Sequence, residues 1–169
     1  MGRGVFGLLA GGFVLFVLFT FGKLPAVVAS HFDGAGVPNG WSSRGTYTIL
    51  LISIGVLLPL GIVVMVHRLT RRGGERLNIP ARDYWLRPEN VGEAVRRVRA
   101  YMWWLGCVMT ATALGVHGLI LAAHRSEPPR LSTPGILLVV GGTVGAITLW
   151  IAGWYRVLRR PSAAAGMRS

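Results

Sequence analysis

Four stretches of the chain are apolar around the whole helical circumference, and no other feature constrains the fold as much. They are residues 5–21, 47–66, 102–123 and 131–155. Crossing a hydrocarbon layer as a helix takes about 20 apolar residues, and the first stretch sits at the short end of that range. A soluble helix buries one stripe and keeps its other face polar; these stretches have no polar face. In hydrocarbon the backbone must satisfy its own hydrogen bonds, which favours helices. The sequence therefore predicts an all-α polytopic membrane protein, a single membrane domain over residues 1–169. Its four transmembrane helices fall at about 5–21, 47–66, 102–123 and 133–155. The first stretch, with Arg3 before it and Val27-Val28-Ala29 after it, also has the outline of a signal peptide. Its 17 residues exceed the usual apolar region of such a peptide, and it is read as a retained helix.

Charge placement orients these helices. The chain carries 18 basic and six acidic residues, for a formal net charge of +12, although 52% of it is hydrophobic. On a soluble domain that charge would indicate nucleic-acid binding. Here fourteen basic residues fall on one side: Arg3, nine arginines between Arg68 and Arg99, and four from Arg156 onward. The other side holds Lys23, Arg44, Arg125 and Arg130. By the positive-inside rule both termini and the 67–101 loop are cytoplasmic, while loops 22–46 and 124–130 face outward. Nucleic acid is excluded as a partner, and a bacterial cell membrane, crossed several times, is the expected location. Trp103, Trp104, Trp150, Trp154 and Tyr155 lie at the cytoplasmic helix ends, where aromatic belts form.

Glycine pairs Gly7/Gly11 and Gly141/Gly145 have GxxxG spacing, so either could pack within the bundle or against a second copy. Pro59 removes a backbone donor inside the second helix, and a kink is expected near Val56–Leu58. In the basic loop, Val91, Ala94, Val95 and Val98 recur at helical spacing, and Glu93 and Arg97 form an i,i+4 pair. This predicts a short amphipathic helix, after Pro88, running into or kinking toward the third span. Arg68, Arg71, Arg72, Arg96, Arg97 and Arg99 are placed against anionic lipid headgroups. Tyr84, Trp85 and Leu86 are expected to dip into the same interface. A docked cytoplasmic regulator is the sharper reading of this loop.

The loop 22–46 is the most distinctive segment. Gly34, Gly36 and Gly40 with Pro38 and Asn39 supply turn chemistry. His31 and Asp33 share a face if the chain is extended. With His124 and Glu127 from the other outward loop, they are candidate ligands for a metal ion, the one possible cofactor, of unknown identity. The plainer expectation is that Asp33 stabilises the turn and His31 hydrogen-bonds the loop. His117 is the one ionisable group within a span; such groups are often functional, and bonding to a neighbouring helix is the structural alternative.

Leu24, Pro25, His31, Phe32, Gly36, Trp41, Ser43 and Arg44 together form a loop motif. It resembles that of a bacterial membrane family of largely unknown function, domain family 1648, which includes the N-terminal part of SdpI-type immunity proteins. Ala29 stands where that motif usually has proline. Asn78-Ile79-Pro80 and Asp83-Tyr84-Trp85 are similar to a second family segment. The resemblance implies immunity or signal transduction, with an extracytoplasmic peptide, envelope component or ion sensed outside and a regulator inside.

No catalytic constellation is evident: there is no Walker loop, CxxC or HExxH pattern. The single cysteine, Cys107, lies in the third span, where a thiol is usually inert. Glu75, Asp83, Glu89 and Glu93 sit among arginines and are expected to be ion-paired. The chain is read as not an enzyme. The alternatives to a sensor are a structural or accessory subunit of a membrane complex and, ranked last, a small transporter.

Overall fold

Phe6, Ala10, Phe13, Val17 and Thr20 recur at three- and four-residue spacing, and in the computed structural model all five are buried along one side of α1, Gly2–Thr20. The structure describes residues 1–71, 73–74 and 77–160. Arg72 and Arg76, read as basic loop residues, Glu75, read as ion-paired, and Arg168 lie outside the described residues.

The buried stripe of α1 packs on α5, Val91–Ala123, and the two run parallel. Gly2 lies against Trp103 and Phe6 against Gly106, while farther along Thr20 meets His117. With 33 residues, α5 extends about 50 Å at the helical rise. The second span, Arg44–Leu69, comprises α2, Arg44–Ile52, a π-helical turn, Ser53–Leu57, and α3, Leu58–Leu69. A four-residue helix α4, Arg82–Trp85, precedes α5, and α6, Thr133–Leu158, completes the bundle. Among the described residues four helices are thus long and apolar enough to cross a membrane. The periodic segment 91–98 is the start of α5, with Ala94, Val95 and Val98 buried.

A π turn lies where the kink is expected and begins slightly earlier, at Ser53. Proline at position 59 has no N–H for the Gly55 carbonyl, and Leu58 N–H bonds instead to Ser53 O, five residues back. The carbonyl so released accepts from the Thr110 hydroxyl of α5 at 2.7 Å. Gly55 also permits the close approach: a Cβ there would lie 2.5 Å from Phe13 Cε1 and 2.9 Å from Ala113 Cβ. Three spans therefore meet at a position with no room for a side chain.

Among the described residues α6 packs chiefly on α5, and Leu137, Leu138, Val140, Val144 and Leu149 are exposed along it. A Cβ at Gly7, Gly11, Gly141 or Gly145 would meet nothing within 4 Å. Among the described residues these glycine pairs make no close packing contact, and they are exposed.

The loop after α1 is not wholly irregular. β1, Val27–Phe32, pairs antiparallel with β2, Pro38–Ser43, in a hairpin with register shifts around His31. Its turn contains Gly36 at φ +76, a conformation that glycine adopts without steric cost. Leu131 N–H donates to Gly36 O at 3.0 Å, so the hairpin tip is tied to the segment entering α6.

Candidate functional site

The functional candidates fall at the two ends of α5. At the hairpin end, His117 is fully buried between α1 and α2. Its Nε2 lies 2.7 Å from Thr20 Oγ1 and its Nδ1 2.9 Å from the Tyr47 hydroxyl. Thr20 Oγ1 also lies 2.7 Å from Phe16 O. One proton assignment satisfies the whole chain: Tyr47 O–H donates to Nδ1, Nε2–H donates to Thr20 Oγ1, and the Thr20 hydroxyl donates to Phe16 O. This is a neutral imidazole with every polar atom paired, as a buried site requires. Phe16 meets the ring edge-on and Tyr47 stacks on it, with centroids 5.6 and 5.9 Å away. His117 thereby joins three spans.

Two turns farther along, His124 ends α5 and holds the hairpin. Its Nδ1–H donates to Ile120 O at 2.8 Å, and its Nε2 accepts the Ala29 N–H at 3.1 Å. Ala29 is fully buried in β1. The departure from proline at this position matters physically, because proline has no N–H to give.

The four candidate metal ligands do not come together as expected. Among the described residues no group of three or more His, Cys, Asp and Glu side chains could hold a metal ion. Both His124 nitrogens are engaged, as above. Asp33 Oδ1 accepts from Ala35 N–H and Val37 N–H, each at 2.9 Å, which closes the hairpin turn. His31 is exposed, with Nδ1 3.3 Å from Ser30 Oγ, and its ring lies over Gly40 of β2. Glu127 is exposed in the other loop.

Several motif residues build the hairpin base. Arg44 donates through Nη1 to Leu24 O at 3.0 Å and lies over the Phe21 ring at 4.5 Å, within cation–π range. Ser43 caps α2 by accepting the Thr46 N–H at 3.1 Å. Leu24 is buried, Phe32 packs against the adjoining core, and Pro25 is exposed. Trp41 stays 54% exposed, and Val27 and Val37 are also exposed on the hairpin.

At the arginine-rich end, two of the arginines assigned to lipid instead close helix termini. Arg97 Nη1 donates to Val157 O at 2.9 Å, and its guanidinium lies over the Trp85 ring at 4.9 Å. Trp85 does not dip into an interface. It is 2% exposed, and its indole N–H donates to Leu158 O at 2.6 Å. The last carbonyls of α6, which have no helical donor, are satisfied from α4 and α5. Arg99 performs the same task for α3, donating to Thr70 Oγ1 at 2.8 Å and to His67 O at 3.2 Å. Cations at helix C-termini also interact favourably with the helix dipole. Arg68, Arg71 and Arg96 remain exposed. Glu93 pairs with Arg96 and Arg97; among the described residues Asp83 and Glu89 make no ion pair, contrary to expectation.

Sequence reasoning missed Thr20, Tyr47 and Thr110. A lone hydroxyl in an apolar run has no periodic signature, and its partners lie 97, 70 and 55 residues away.

No curated protein and no solved structure matches the chain. A family model described as a domain of unknown function, DUF1648, matches residues 7–60. That segment covers most of α1, the hairpin and the second span as far as Leu60, so it includes every residue of the loop motif but not the Asn78–Trp85 segment. It is this hairpin-bearing segment of the chain that matches the DUF1648 family.

Proposed function

We propose that this chain is a non-enzymatic sensor of the bacterial cell envelope. Its hairpin meets an extracytoplasmic peptide or envelope component, and its arginine-rich end reports to a cytoplasmic regulator. The observation that carries the reading is the reach of α5. One continuous helix holds the hairpin through His124 and the first two spans through His117. Its other end holds the termini of α3 and α6 through Arg99 and Arg97. A displacement of the hairpin is therefore delivered to groups that clamp two other spans. The charge asymmetry supports hairpin-out orientation. The exposed Trp41, Val27 and Val37 supply an apolar contact surface, and aromatic residues are frequent binding anchors. The loop resemblance to SdpI-type proteins supports an immunity or signalling role.

The test is survival of cells with and without the gene under a panel of envelope-active peptides. A shift in sensitivity to at least one peptide, lost with Trp41→Ala, is expected; unchanged sensitivity across the panel removes the sensor reading. A second reading, an accessory subunit of a membrane complex, is favoured by the exposed glycine pairs Gly7/Gly11 and Gly141/Gly145. Recovery of a stoichiometric partner after gentle extraction would support it.

A further inference from the structure

We propose that a groove between α5 and α6 holds one acyl chain of an anionic phospholipid from the leaflet at the arginine-rich end, with the headgroup beside Arg156. The groove has a volume of about 720 Å³ and an almost wholly apolar wall, a size typical of ligand-holding clefts. Leu9 of α1 also lines it. Along α6 the lining runs from Leu138 to Trp150, roughly 18 Å at the helical rise. That is slightly more than one leaflet of a hydrocarbon core about 30 Å thick. The fit is therefore to a single chain entering from one side.

The lower end of the groove identifies that side. Trp104, Tyr101 and Trp150 line it, and Trp and Tyr favour headgroup depth. Leu149 and Arg156 are seven residues apart on α6, as are Trp104 and Arg97 on α5. Seven residues is close to two helical turns, so each arginine continues a groove-facing stripe. Arg97 is committed to Glu93 and Val157 O. Arg156 has no ion-pair partner among the described residues. The complement to an apolar slot that ends in a cation is an acyl chain that ends in an anionic headgroup.

Glycines make the slot testable. A Cβ at Gly142, on the groove wall, meets nothing within 4 Å, and the same is true at Gly141, which does not line the groove. Leucine at either position enters open space without displacing the backbone. The full chain, extracted in mild detergent and mixed with equal amounts of phosphatidylglycerol and phosphatidylcholine, is read by native mass spectrometry. One phosphatidylglycerol should be retained, preferred about fivefold over phosphatidylcholine, the ratio expected for one arginine near an anionic group. Gly142→Leu should lose the bound lipid, Gly141→Leu should keep it, and Arg156→Gln should keep a lipid without headgroup preference. Equal retention of both lipids by the unsubstituted chain overturns the proposal. So does an undiminished adduct in Gly142→Leu, or loss of a dimer instead of a lipid, which would assign the groove to a second copy.

Discussion

The Thr110 hydroxyl donates to the Gly55 carbonyl at 2.7 Å, and this bond exists because Pro59 cannot supply the helical donor. Where hydrocarbon surrounds the helices, hydrophobic driving force between them is small, and close packing with satisfied polar groups holds the bundle. Thr110→Val should therefore cost about 1 kcal/mol, within the spread of about 0.6–2 kcal/mol for interhelical bonds in membranes. Thr110→Ser should cost less. Pro59→Ala restores the backbone donor, so the valine substitution should cost less in that background. Denaturant unfolding in detergent of the four variants, read as a double-mutant cycle, measures the coupling.

Gly55 tests the same junction sterically. Gly55→Ala forces a Cβ against Phe13 and Ala113, and overpacking typically costs about 1–3 kcal/mol. Pairing it with Phe13→Leu should recover part of the loss. Additive effects of the two substitutions in unfolding would contradict the contact.

The Tyr47–His117–Thr20 chain predicts an asymmetric response. Tyr47→Phe leaves the His117 Nδ1 without a donor and should destabilise by about 1–3 kcal/mol, the cost of a buried unpaired group. His117→Gln, which keeps a donor and an acceptor, should be milder than His117→Leu, which leaves the Tyr47 hydroxyl without its acceptor and the Thr20 oxygen without its donor. Thermal unfolding of the purified chain ranks the three.

At the arginine-rich end, Trp85→Phe removes the donor to Leu158 O while keeping the ring under Arg97. Arg97→Met removes the donor to Val157 O and the cation. Both should free the last turn of α6, seen as faster amide exchange in 150–158 with little change in α1. The loss in Arg97→Met should be the larger, because it also ends the pairing with Glu93.

Much of the architecture was legible from residue order. Uncharged runs of 17 to 25 residues are local signals that need no knowledge of distant partners, and the Val91–Val98 periodicity marked a helix, though not whether it would kink before the third span or continue into it as α5 does. The hairpin was harder to read, because its strands are six residues each and are interrupted by Gly40, Pro38 and a shifted register at His31. Only turn chemistry was visible there. Sequence places the arginines against lipid headgroups because it shows their number and clustering but not their acceptors. That Arg97 and Arg99 close the ends of α6 and α3 depends on tertiary placement. The proposed His31, Asp33, His124 and Glu127 cluster failed for a related reason: backbone groups of the hairpin and of α5 claim Asp33 and His124 first.

If α5 couples the hairpin to the clamped ends of α3 and α6, Ala29→Pro should disturb both ends at once. Proline deletes the one N–H that His124 accepts and touches neither Arg97 nor Arg99. Hydrogen exchange of the purified chain should then rise at 27–43 and also at 91–99 and 150–158, some 40 Å away along α5 at the helical rise. Exchange that rises only in the hairpin, with both remote segments unchanged, would contradict the coupling.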